Sequence, residues 1–167
     1  MEVATPSQTV GPYFSLGLVG RASHELVADG IRISGRVLDG AGDPVPDAVV
    51  ELWQADEEGT YRGDFGWARA GCDVEGRYWF RTVKPGRIAD EEGGMQAPHL
   101  VLLVFARGLL KPVLTRMYFP DEEEANVGDL VLSGVEDPAP LVAAQGSDGL
   151  EFDLRLQGDG AVVAFAV

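Results

Sequence analysis

The run from His99 to Phe105 reads His-Leu-Val-Leu-Leu-Val-Phe, and it constrains the fold more than any other stretch. Seven residues, nearly all apolar, bounded by Pro98 before and Ala106-Arg107-Gly108 after, predict a strand buried on both faces. Such a strand should not begin with an imidazole and end at a guanidinium unless both groups have partners. Upstream, Arg77 to Thr82 alternates, with Tyr78, Phe80 and Thr82 on one side and Arg77, Trp79 and Arg81 on the other. Lys84-Pro85-Gly86 stops it, because Pro donates nothing to a sheet ladder and Gly accepts turn dihedrals. An acidic, Gly-rich link then leads to Ala97-Pro98-His99.

The other strands follow the same two-residue period. Ile31 to Leu38 is one, ending in the turn cluster Asp39 to Pro44, and Gly35 inside it predicts a bulge or a close backbone approach. Ala48 to Gln54, Pro112 to Phe119, Leu150 to Leu156 and a terminal Ala161 to Val167 complete the set, with one acidic helical turn over Asp121 to Asn126. Thr60 to Glu75 is a long connection whose Tyr61, Phe65 and Trp67 make it too aromatic for a plain solvated loop. Gly20 to Gly30 carries no clear pattern. Many short strands with almost no helix predict an all-β, antiparallel β-sandwich over residues 31–167, preceded by an N-terminal arm over residues 1–30. The arm's first part, Thr5 to Phe14, has neither period, and Pro6 and Pro12 bias it to extended backbone. Composition alone leaves it either an ordered arm or a floppy tail.

The 167 residues suffice for one domain with a sizeable core. Thirteen Lys and Arg against 27 Asp and Glu give a net charge of −14, which repels phosphate backbones and anionic lipid, so neither nucleic acid nor membrane is an expected partner. Cys72 is the single cysteine, excluding an internal disulfide and a thiolate metal site and leaving a buried or idle thiol. The opening Met-Glu-Val-Ala has no secretion-signal pattern and no apolar run reaches membrane length, which together predict a cytoplasmic chain.

Three longer strings point to chemistry: Glu51-Leu52-Trp53-Gln54-Ala55-Asp56 with Gly59-Thr60-Tyr61-Arg62, Phe80 to Gly86, and Ala97-Pro98-His99. Together they resemble the intradiol ring-cleavage dioxygenases, a prealbumin-like sandwich family. The arm Thr5 to Tyr13 and the string Leu103 to Gly108 are similar to the iron-free α subunit of its heteromeric members. The resemblance covers Thr5 to Phe165. It implies a ferric ion held by two tyrosinates and two histidines, hard donors suited to Fe(III). Tyr61 matches the first Tyr and His99 the first His. Ile88 stands in place of the second Tyr, Val101 in place of the second His, and Gln96 in place of a helper Arg. Tyr61 and His99 are therefore vestigial ligand positions: this chain is expected to hold no metal and no catalytic residue.

What the resemblance implies instead is a substrate-shaping role beside a related iron-binding β partner in a large α–β hetero-oligomer, with Fe(III) on that partner. The complex would open the ring of 3,4-dihydroxybenzoate with O2 to 3-carboxy-cis,cis-muconate. Thr9, Gly11, Pro12 and Tyr13 would line the mouth of the site and Arg107 would meet the substrate carboxylate. Eight residues of strand place Arg107 about 26 Å from His99, so the two should not share one small-molecule site. Each residue also has a plainer role: His99 as a hydrogen-bonded core histidine, Tyr61 as a packing aromatic, Arg107 as a strand-end ion pair, Asp121 to Glu124 as solvated surface and His24 as a surface residue. Two other functions stand beside the subunit reading. One is an active enzyme with an unusual ligand set, against which Ile88, Val101 and Gln96 speak. The other is a prealbumin-like binding or carrier sandwich, which needs neither the arm nor the Phe105-Ala106-Arg107-Gly108 string.

Overall fold

Strand periodicity turns into two sheets facing each other across one apolar core. The structure, a computed structural model, describes residues 4–11, 13–20, 23–90 and 93–165. In the first sheet, β1 (Ile31–Leu38) pairs antiparallel with β4 (Arg77–Thr82), Ile33 opposite Phe80, and Tyr78, Phe80 and Thr82 turn inward as their alternation predicts. The second sheet has the order β3 (Trp67–Gly71), β2 (Val49–Trp53), β7 (His99–Phe105), β8 (Val113–Tyr118), antiparallel throughout. Its inward residues Val50, Leu52, Leu100, Leu102, Val104 and Met117 meet Ile33, Val37, Tyr78 and Phe80 of the first sheet. Burying each such side chain is worth about 1.5–3 kcal/mol, so this face sets the register of both sheets. Val101, Leu103 and Phe105, on the other face of β7, are half-covered, so the strand is fully enclosed on one face only.

The stretch Leu150 to Leu156 forms two short strands, β10 (Gly149–Glu151) and β11 (Leu154–Arg155), both parallel to β1 in an otherwise antiparallel molecule. The break between them falls against Gly35, where a Cβ would lie 1.8 Å from the Phe152 carbonyl oxygen, so the glycine marks a close approach of two backbones. The Asp153 side chain fills the gap in the ladder by accepting from the Arg36 amide at 2.8 Å. β9 (Ala144–Gly146) closes this edge by pairing with β10.

Between the sheets lies a buried polar clasp. The Gln54 side chain, at the end of β2, accepts from the Thr82 hydroxyl at 2.6 Å and donates to the Val83 carbonyl at 3.1 Å. Residues 23–26 stitch the same edge: the Ser23 carbonyl accepts from Arg69 in one sheet, and the His24 carbonyl from Arg81 in the other. The His24 ring packs edge-on against Trp79, half-buried rather than free on the surface.

Several elements depart from the sequence reading. α1 (Phe14–Val19) is a helix within the 1–30 arm and begins where the extended stretch was expected to end, and the Leu18 carbonyl accepts from the Arg69 guanidinium. The aromatic connection contains β3, and the acidic link folds into a hairpin of β5 (Ile88–Ala89) and β6 (Met95–Gln96). Residues 161–165 form no strand: the Val162 amide bonds Arg155 in one sheet and the Phe165 amide bonds Leu114 in the other, so the segment straddles both. Val167, the end of that expected strand, lies outside the described residues. The acidic turn is α2 (Glu123–Val127), followed by α3 (Leu130–Ser133) and a 3-10 turn (Ala139–Leu141). Leu132 and Leu141 pack with Ala97 and Tyr118 into a second small core under the amino end of β7. Cys72 is half-buried, and burial together with the Asp73 and Asp47 charges pushes its thiol up to about 12, so it carries no thiolate at neutral pH.

Candidate functional site

The two ends of β7 carry the two groups that the sequence marks as out of place. At the carboxyl end, the chain turns at Gly108 with φ +88, a left-handed conformation that side-chain-bearing residues resist. This turn exposes the Gly108 amide, which donates to the Thr9 hydroxyl at 2.8 Å. Gln8 and Val10 lie with Phe105, Ala106 and Leu109 around a shallow cleft of about 120 Å³. The arm is therefore seated beside Arg107. Phe14 donates to the Gly11 carbonyl and Leu16 to the Tyr13 carbonyl as α1 begins, and the Tyr13 ring stands in solvent. Pro12 lies outside the described residues.

Arg107 is exposed, and its Nε lies 3.1 Å from Asp47 Oδ2. The Asp47 side chain is only 14% exposed, and neither of its oxygens has an aligned hydrogen bond. The contact is thus charge attraction at close range rather than a directed bond, and Arg107 is the counterion of a largely buried carboxylate. This is the strand-end ion pair of the plain reading; it engages Nε, and the Arg107 side chain remains more than half exposed. Asp47 carries no motif; its place after Val45-Pro46, ahead of a strand, is a weak cue.

At the amino end the histidine is enclosed. His99 is 1% exposed, and its Nδ1 lies 2.8 Å from the Ala97 carbonyl oxygen. Its ring stacks at a tilt on Tyr118, 5.6 Å between centroids. Burial, reinforced by the Arg116 charge, drives the imidazole down to about 4, so it is neutral at ordinary pH. Beneath it, the buried Asp129 carboxylate accepts from the Ala97, Val131 and Leu132 amides at 2.8, 2.9 and 2.9 Å, and from the Tyr118 hydroxyl at 3.3 Å. One side chain thereby caps α3, fixes the approach to His99 and anchors β8.

Arg116 stands beside positions that the family resemblance marks as ligand sites. It faces Val101 across the β7–β8 ladder, and its Nη1 donates to Gln96 Oε1 at 2.8 Å and to the Tyr118 hydroxyl at 3.3 Å. Gln96 in turn pairs with Ile88. Tyr61 is half-exposed; partial burial raises its phenol pKa and the Arg116 charge opposes that rise. Val101 thus faces this guanidinium, Tyr61 and His99 feel its charge, and Ile88 is the ladder partner of the Gln96 that binds it. Ile88 and Val101 offer no donor atom, and a hydrogen-bonded guanidinium stands opposite Val101, so the residues present do not fit a ferric ion. Among the described residues no group of three or more His, Cys, Asp or Glu side chains is placed to hold a metal. Arg116, Tyr118 and Asp129 were missed in the sequence. The signal for Arg116 was its parity: a charged residue inside an otherwise apolar strand.

Among the described residues no helix is long and apolar enough to cross a membrane. Residues 17–158 match the family described as Dioxygenase. The chain belongs to that dioxygenase family, a class of enzymes that add oxygen to their substrates. Within it, the chain is 39% identical over 198 residues to a protocatechuate 3,4-dioxygenase alpha chain of Burkholderia cepacia, covering 98% of this chain and 97% of that one. A protocatechuate 3,4-dioxygenase beta chain of the same species is 27% identical over 184 residues, covering 90% and 78%. Among solved structures, the dioxygenase domain of a dioxygenase–carbohydrate-binding fusion from Streptomyces sp. SirexAA-E is 27% identical, with a TM-score of 0.64 over 92% of this chain and 98% of that one. The expected β-sandwich and family are both met.

Proposed function

We propose that the chain is the iron-free α subunit of a heteromeric, cytoplasmic protocatechuate 3,4-dioxygenase. In this reading it contributes one wall of a site whose Fe(III) and catalytic residues belong to a related β chain. The complex opens the ring of 3,4-dihydroxybenzoate with O2 to give 3-carboxy-cis,cis-muconate. Residues 1–30 serve as the arm and 31–167 as the sandwich; Thr9, Gly11, Pro12 and Tyr13 line the mouth of the site. Arg107 receives the carboxylate, for which a planar, permanently charged fork is better suited than an ammonium. Tyr61 and His99 are leftovers of a ligand set.

The observation that carries the reading is the Thr9–Gly108 hydrogen bond, because it seats the arm beside an exposed arginine at an open edge. Such an edge has recognition groups and no reactive ones, which is what a chain completed by a partner requires. Trp53 and Trp67, cross-strand neighbours both about two-fifths exposed, add an aromatic surface of the kind that interfaces cover. The test is to produce the chain alone and together with an iron-binding β-type chain, then measure iron, visible absorption and ring opening of 3,4-dihydroxybenzoate. The lone chain should be colourless and inactive, and the pair coloured, active and of high mass. Stoichiometric iron and turnover in the lone chain overturn the proposal.

A further inference from the structure

Ile88 and Val101 explain why this pocket is two donors short, but they do not explain why a guanidinium is held in it. We infer that the Arg116 guanidinium is a built-in replacement cation that bars metal from the pocket independently of the missing ligands. Its placement carries the argument. On β8 it faces Val101, so a histidine restored there would meet a guanidinium across the ladder. Its Nη1 is held by Gln96 at 2.8 Å and by the Tyr118 hydroxyl at 3.3 Å, and its plane lies over the Phe165 ring at 5.9 Å. Those contacts lock a long, otherwise mobile side chain in one position. Gln96 pairs with Ile88, so the same clasp passes beside the second empty position. The retained Tyr61 and the buried His99 both feel the Arg116 charge. A cation fixed among the donors repels any metal ion that approaches them, and its bonds to Gln96 and Tyr118 must break before the space opens.

The inference rests on reading Tyr61, Ile88, His99 and Val101 as the former ligand positions, and the test separates the two ideas. Ile88→Tyr and Val101→His are combined in the full chain, with Arg116 retained or changed to Gln, Met or Lys. Each variant is checked for folding by circular dichroism, given the same ferric iron, and assayed for bound metal and for the visible band of ferric phenolate. With Arg116 present the double variant should take up at least about tenfold less iron than with Gln or Met in its place. Lys, which keeps the charge in a smaller group, should stay empty, and this separates charge from bulk. Met provides a second uncharged residue should the Gln variant fail to fold. Full iron uptake with Arg116 in place overturns the role of Arg116 and leaves the ligand positions standing. Uptake by the Lys variant equal to that of Gln overturns the charge argument. No uptake in any folded variant overturns the reading of the four positions, and the inference with it.

Discussion

Strand β7 ends in opposite ways. At His99 the side chain is enclosed and flanked by a cation, a stacked phenol and a carboxylate-capped turn; eight residues later, just past the end of the strand, Arg107 stands more than half exposed with an arm beside it. At the enclosed end Asp129, Tyr118 and Arg116 hydrogen-bond groups of their own chain. At the open end Arg107 has only the Asp47 carboxylate as a partner and remains more than half exposed. On the subunit reading, a lost reactive centre leaves no hole in a packed protein: its space is filled by side chains that then become structural. A recognition edge, by contrast, stays usable because it was never closed by its own chain.

Breaking the closed end should give the largest effect. Asp129→Ala removes a helix cap and leaves the Ala97 amide and Tyr118 hydroxyl buried without an acceptor, which should cost roughly 3–5 kcal/mol of stability in urea or thermal unfolding. A loss under about 1 kcal/mol would show that this carboxylate does not hold the pocket shut. The same end predicts a pH response. His99 has its folded pKa lowered to about 4 from 6.5, so the unfolded chain takes up its proton first as pH falls. Its contribution is intact above pH 6.5 and is lost progressively down to pH 4, by about 3 kcal/mol in all. Stability measured across that window should flatten in His99→Gln; an unchanged slope assigns the response to other groups.

At the open end, Arg107→Ala in the assembled enzyme should raise KM for 3,4-dihydroxybenzoate roughly ten- to a hundred-fold with kcat nearly intact, since the carboxylate keeps its charge through ring opening. Catechol, which lacks the carboxylate, should be little affected. The substitution also strands the Asp47 carboxylate, so a loss of stability is expected alongside. Adding Asp47→Asn should restore stability and leave KM high. If the double variant regains KM as well, Arg107 acts through the ion pair and not on substrate. The smallest effect should come from Thr9→Val, which removes one exposed hydrogen bond worth about 0.5–1.5 kcal/mol. Turnover of the complex should fall a few-fold with the folding of this chain unchanged, and an unaltered rate takes the arm out of the site.

The fold was legible where hydropathy alternated strongly. His99–Phe105 and Ile31–Leu38 coincide with their expected spans, and Gly35 marks the close approach its position announced. Trp67–Gly71 was illegible because its inward residues, Ala68 and Ala70, are small, while the outward Trp67 inverts the apparent phase. Phe14–Val19 has no side-chain cap and no buried residue, and is held by a guanidinium from another strand. At the site, the motif residues Tyr61 and His99 could be singled out from the sequence, but Arg116 and Asp129 act through pairings that only folding brings about.

The Gln54–Thr82 clasp has a consequence beyond the core. Apolar layers alone allow one sheet to slide over the other, whereas directed bonds in a buried setting accept a single offset. The sandwich therefore meets a partner already ordered, and the entropy spent on association falls on the arm and on rotatable side chains such as Arg107. A loosened clasp would appear first as weaker assembly, at temperatures where the isolated chain is still folded.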